Sequence, residues 1–99
     1  MKVVVTDTAI NDLIQIGRYI KQDSPERAET FVAEIYERCQ RLGGMPRAFP
    51  LVPGREKSGI RRRPFGNYLI FYAIRRNNVE ILHILNGAMD YERILFSED

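Results

Sequence analysis

The chain has 99 residues, 44% of them hydrophobic and 28% charged, which is enough for one compact domain and excludes a multidomain enzyme. Fifteen Lys and Arg against 13 Asp and Glu leave a net charge of +2, so no global field marks a nucleic-acid coat or a membrane-surface peptide. The apolar run Tyr68 to Ile74 falls far short of the roughly 20 residues a bilayer needs, Met1 to Asp7 lacks the apolar centre of a signal peptide, and the lone Cys39 forms no internal disulfide; a protein of the reducing cytoplasm is expected.

Val3, Val4 and Val5 are β-branched and suit a pleated surface, so residues 2 to 6 are predicted to form a strand. Thr6, Asp7 and Thr8 offer side-chain oxygens to the first N–H groups of a helix whose Ala9, Leu13, Ile16 and Ile20 form one apolar stripe. Gly17 inside it costs about 1 kcal/mol relative to Ala, which suggests close packing. Ser24-Pro25-Glu26 starts a second helix, with Ser as cap, Pro at the first helical position and Glu at the positive end of the dipole. Ala28, Phe31, Val32, Ile35, Cys39 and Leu42 keep its period, and Gly43-Gly44 ends it. With only Lys21 to Ser24 between them, the helices form an antiparallel hairpin whose apolar stripes need a sheet.

Met45 to Gly59 has no period and contains Pro46, Pro50, Pro53 and Gly54, the composition of a loop. Three strands follow, Ile60 to Phe65, Tyr68 to Arg75 and Val79 to Asn86, with turns at Gly66-Asn67 and Asn77-Asn78. The middle strand is apolar at both parities, as a strand covered on both faces would be. Asp90 can cap a short last helix, Tyr91 to Phe96. The class is α+β, in the order β-α-α-β-β-β-α, as a single domain over 1–99.

Within residues 55 to 76, seven Arg and Lys stand against Glu56 alone, a local charge of +6 that leaves the remainder at −4. Such a stretch suits a phosphate backbone, an acidic partner segment, or the solvated flank of an edge strand. Alternation places Arg61 and Arg63 on one face and Arg62 with Ile60 on the other. His83, the single histidine, shares its parity with Val79, Ile81 and Leu85 and is read as a packed core residue. Without a second His or a Cys pair the usual zinc-ligand sets are missing, and Cys39 lies in an apolar stripe where a thiol is inert. No metal or cofactor is expected.

Tyr68-Leu69-Ile70-Phe71-Tyr72, with Val79 through Arg93, resembles the C-terminal half of ParE-type toxins of the RelE/ParE superfamily. Ala9, Asp12-Leu13, Ile16, Tyr19-Ile20, Ala28, Phe31, Leu42 and Pro46 resemble that family's helical hairpin, so the resemblance covers nearly the whole chain. It implies a RelE/ParE-like fold, a helical hairpin packed on an antiparallel sheet, and a bacterial type II toxin neutralised by a ParD-like antitoxin, with which it forms a hetero-oligomer. ParE-like members poison DNA gyrase and thereby inhibit growth. RelE-like members cut mRNA on the ribosome without metal, using basic and tyrosine side chains. Their arginines stand where this chain has Leu69 and Ala88-Met89, and without a cation there a cleavage transition state loses several kcal/mol of stabilisation. ParE relatives often show His-Gly-Ala-Arg-Asp where this chain has Asn86-Gly87-Ala88-Met89-Asp90.

The first reading is therefore a toxin that acts on gyrase by binding and is not itself an enzyme. Its target-contact candidates are Arg61, Arg63, Met89, Tyr91, Arg93 and Phe96; its antitoxin-contact candidates are Leu13, Ile16, Ile20, Phe31, Ile35, Arg62 and Arg75. The alternatives are a ribosome-dependent nuclease using Arg61, Arg63, Tyr68, Tyr72 and His83, and a degenerate toxin retained as an antitoxin-binding partner. A competing role for Tyr91 to Phe96 is to cover an open sheet face.

Overall fold

The computed structural model describes residues 1–97. The elements are β1 (Lys2–Val5), α1 (Asp7–Lys21), α2 (Pro25–Arg41), β2 (Ile60–Phe65), β3 (Tyr68–Arg75), β4 (Asn78–Asn86) and α3 (Tyr91–Phe96), the order read from the sequence. The Thr6 side chain caps α1 by accepting from Ala9 N at 3.2 Å, and Ser24 caps α2 by accepting from Arg27 N at 3.2 Å. At Gly17 an added Cβ would lie 3.3 Å from Val32 Cγ2, so the two helices do approach closely there.

The strands form one sheet in the order β1-β4-β3-β2. β2, β3 and β4 make the antiparallel meander, while β1 joins β4 in parallel, from Lys2↔Asn78 to Val5↔Ile81; the sheet is thus mixed rather than wholly antiparallel. Gly66 takes a φ of +58° in the first turn. The second turn is built on Arg76 and Asn77, at φ +54° and +63°, one residue earlier than the Asn77-Asn78 pair suggested. Two positive φ values fit a two-residue hairpin loop, and β4 then begins at Asn78.

Ile70, Phe71, Tyr72 and Ala73 of β3 are at most 2% exposed, and they alternate between two cores. Ile70 and Tyr72 pack with Leu13, Ile16, Ile35 and Cys39 beneath the helical hairpin. Phe71 and Ala73 pack with Val52, Ile60 and Leu85 on the opposite face, where Tyr91, Leu95 and Phe96 of α3 cover them. The segment before β2 is therefore more than a loop: Val52 is 1% exposed and Leu51 bridges to Arg61.

A bulge in β4 overturns one parity assignment. Phe71 pairs with His83 but Tyr72 pairs with Ile81, which leaves Leu82 as the extra residue. Val79, Ile81 and Ile84 consequently face the helices, whereas Leu82 and Leu85 join the other core. His83 is not packed among Val79, Ile81 and Leu85. It is half-buried, with Nδ1 2.7 Å from Asp12 Oδ2 on α1. Because a carboxylate oxygen accepts, Nδ1 carries the hydrogen.

The same Asp12 oxygen accepts from Ile84 N at 2.9 Å. β1 has ended by this point, so the helix carboxylate does for β4 what a neighbouring strand would otherwise do. Thr6 closes the junction from the other side, donating its hydroxyl to Ile81 O at 2.7 Å. Asp12→Ala strips a partly buried N–H of its acceptor and is expected to cost about 1–3 kcal/mol in denaturant unfolding, with Asp12→Asn losing less because its amide oxygen still accepts. Equal stability of Asp12→Ala and the parent would show that water replaces the carboxylate.

Candidate functional site

The apolar stripe of the hairpin and the surface of the hairpin prove to be different residues. Leu13, Ile16 and Ile35 are 5%, 6% and 0% exposed against the sheet, so they are mainly core residues, although Leu13 also lines the floor of the outer groove. Ile20 and Phe31 are half-buried beside them, with the Phe31 ring 5.5 Å from Phe65 and 5.7 Å from Tyr68. The outer side of the hairpin instead holds an open groove of about 920 Å³ lined by Ile10, Ile14, Val32 and Tyr36, with Arg18 and Lys21 at its rim. Ile10, Ile14 and Tyr36 are among the exposed large apolar side chains. Ile10 and Ile14, four apart and off the core stripe, were the sequence signal for this second surface.

The basic stretch divides by face, as alternation predicted. Arg61 and Arg63 are aligned with Tyr72 and Ile70 on the hairpin side, and Arg62 with Phe71 on the α3 side. Arg62 donates to the Tyr91 hydroxyl at 2.7 Å and Arg55 to Glu92 at 3.1 Å, while the Arg55 guanidinium lies over Phe96. These contacts strap α3 to the sheet. Arg75 reaches Glu80 at 3.8 Å on the adjoining strand. Arg61 donates to Phe49 O at 2.7 Å, and Arg63 stacks over the Phe49 ring and donates to Pro64 O.

Of the C-terminal candidates, Tyr91 and Phe96 turn inward. The Tyr91 ring lies 5.0 Å from Phe71, and both residues pack on the second core. Met89 is 48% exposed, Arg93 is exposed, and Ile94, which was not singled out, is 42% exposed. Gly87 N donates to Asn67 O at 2.8 Å and Asn86 Oδ1 accepts from Ala88 N, so the turn presenting Met89 is held to the sheet. α3 both covers an open face and offers an outer surface.

Arg61, Arg63, Tyr68 and Tyr72 share the hairpin side of the sheet, but the nuclease candidates do not form one open site. Tyr72 is fully buried, donates to Pro46 O at 2.9 Å, and is pushed above the ordinary tyrosine range by burial. Register puts Tyr68 and Tyr72 on the hairpin side, whereas His83 is held at the β4 edge by Asp12. Leu69, where nuclease relatives have arginine, packs into the second core. No described helix is long and apolar enough to cross a membrane.

Cys39 is fully buried, and burial raises its thiol to about 12 from the ordinary 9.0. An unfolded thiol ionises first, so the stability gained by burying the neutral form is present below pH 9 and is lost as pH rises from 9 toward 12. At pH 8 a disulfide reagent is expected to label the native protein far more slowly than the denatured one; immediate stoichiometric labelling of native protein would contradict this.

No curated protein matches the chain. A solved structure described as "Chromosomal ParDE TA system from P. aeruginosa" matches with a TM-score of 0.74 at 22% identity, covering 87% of this chain and 95% of that one, which establishes the shared fold. A family model described as "ParE toxin of type II toxin-antitoxin system, parDE" matches residues 3–91. The chain, with its capped helical hairpin on one sheet face and its strapped C-terminal helix on the other, therefore belongs to the ParE toxin family.

Proposed function

We propose that this protein is a toxin that inhibits DNA gyrase by binding and is neutralised by a ParD-like antitoxin. The observation that carries the reading is the family match over residues 3–91. The surfaces agree with it: Tyr72 is buried and His83 is held apart by Asp12, while apolar side chains are exposed in two places suited to partners.

The antitoxin is assigned to the groove between α1 and α2, where an amphipathic helix would set apolar side chains against Ile10, Ile14, Val32 and Tyr36 and acidic ones against Arg18 and Lys21. Leu13 stays among these contacts at the floor of the groove, Ile16 and Ile35 are given to the core, Ile20, Phe31 and Arg75 are candidates outside the groove, and Arg62 is committed to Tyr91. The target surface is assigned to Met89, Arg93 and Ile94, which Tyr91 and Phe96 support from beneath.

Antitoxin-free protein is expected to abolish supercoiling by purified gyrase and to accumulate cleaved plasmid, with reversal on adding the antitoxin. Met89→Glu is expected to weaken that inhibition about tenfold or more without changing the circular dichroism spectrum. Deleting residues 90–99 is a poorer probe, since it uncovers Phe71 and Leu85. No inhibition at concentrations well above those of gyrase would overturn the target assignment and leave a degenerate toxin or a nuclease. Ile14→Glu is expected to weaken antitoxin binding about tenfold or more while sparing gyrase inhibition; unchanged antitoxin affinity would refute the groove assignment.

A further inference from the structure

One charged surface is used by neither proposed contact. On the hairpin side of the edge strand, Arg61 and Arg63 lie two residues apart on one face, about 7 Å along the strand. Arg38 and Arg41, from the last turn of α2, adjoin Arg63, and the backbone of Arg47 meets Arg61. Glu37 is ion-paired with both Arg38 and Arg41, but among the described residues no carboxylate is paired with Arg61 or Arg63.

The heads are held rather than loose. Carbonyl oxygens fix Arg61 and Arg63, the Phe49 ring supports Arg63, and the Phe65 ring supports Arg38. Burial, followed by the charge of Arg38, pushes the Arg63 guanidinium below the ordinary arginine range. Each guanidinium has five N–H donors; the Nε of Arg63 is buried without a partner, and the terminal nitrogens of both residues keep N–H groups beyond these internal contacts for an external anion.

We propose that this strip binds the phosphate backbone of a nucleic acid, with neighbouring phosphates on Arg61 and Arg63 and the track extended by Arg38, Arg41 and Arg47. Arginine forks match phosphate oxygens in pairs, and the strand places two forks at a separation comparable with consecutive phosphates. An acidic protein segment fits less well, because protein interfaces are built around an apolar centre. Ile10, Ile14, Tyr19, Tyr36, Met89 and Ile94 are exposed elsewhere, and only Met45 belongs to the segment that carries the strip. The inference goes beyond the gyrase reading and is tested without gyrase.

Antitoxin-free protein would be titrated into a short dye-labelled DNA duplex and a single-stranded RNA of equal length, following anisotropy between about 50 and 200 mM salt. Binding that weakens with salt is expected, and Arg61→Gln with Arg63→Gln should lower affinity about tenfold or more and reduce the log–log salt slope by about two. Because Arg61 and Arg63 both hold Phe49, a second pair, Arg41→Gln with Arg47→Gln, removes charge from the track without touching Phe49 and should also lower affinity; thermal unfolding checks both pairs. Lys2→Gln with Arg27→Gln, which removes equal charge elsewhere, should leave affinity unchanged. Preference between DNA and RNA, once lost with the strip, identifies which phosphodiester is recognised. Absence of binding to both probes, equal loss in the Lys2 and Arg27 control, or displacement by polyglutamate as effective as by unlabelled duplex would overturn the proposal.

Discussion

Strand β3 buries side chains on both of its faces, and the remaining architecture answers to that condition. Ile70 and Tyr72 on one side, and Phe71 and Ala73 on the other, must all be removed from water, so a single helical layer is insufficient. The hairpin of α1 and α2 covers the first face. The second is covered by pieces that are weak alone: a six-residue helix, the segment around Val52, and the strap of Arg62 on Tyr91. A helix this short has little stability of its own, so α3 exists because the sheet holds it.

That demand decides which apolar residues are left for partners. Leu13, Ile16 and Ile35 go to the core, and the hairpin presents Ile10, Ile14 and Tyr36 on its far side. Tyr91 and Phe96 go to the second core, and α3 presents Ile94 and Arg93 outward. Each element thus carries an inward set that fixes its position and an outward set that can meet another molecule. Contacts assigned from apolar character alone fall on the inward set.

The open flanks of the sheet, on β4 beyond the end of β1 and along β2, are handled by different chemistry. Along β4, the row of backbone groups left open where β1 stops is met by Thr6 and Asp12, which tie the start of α1 to the sheet. Along β2, Pro64 removes a donor and three arginines discourage strand addition, while Leu51 bridges to Arg61. Concentrating cations there also leaves Arg61 and Arg63 arranged by backbone carbonyls and a ring rather than by carboxylates. Hairpin groove, C-terminal turn and arginine strip draw on separate residues.

Much of this was legible in the chain. Periodicity, the Ser24-Pro25 cap, the turn glycines and the two-parity apolar run Tyr68 to Ile74 determine the elements and their order, because each depends on neighbours within a few residues. The partition of Arg61, Arg62 and Arg63 followed from strand alternation in the same local way. What tertiary structure decided depends on residues far apart in sequence. The bond from His83 to Asp12 spans 71 residues and the parallel seat of β1 joins Lys2 to Asn78, while the bulge at Leu82 shifts the register between β3 and β4. One extra residue in β4 inverted the parity of everything after it, and no local pattern announces such a shift, since the bulge is set by which helix face must be covered.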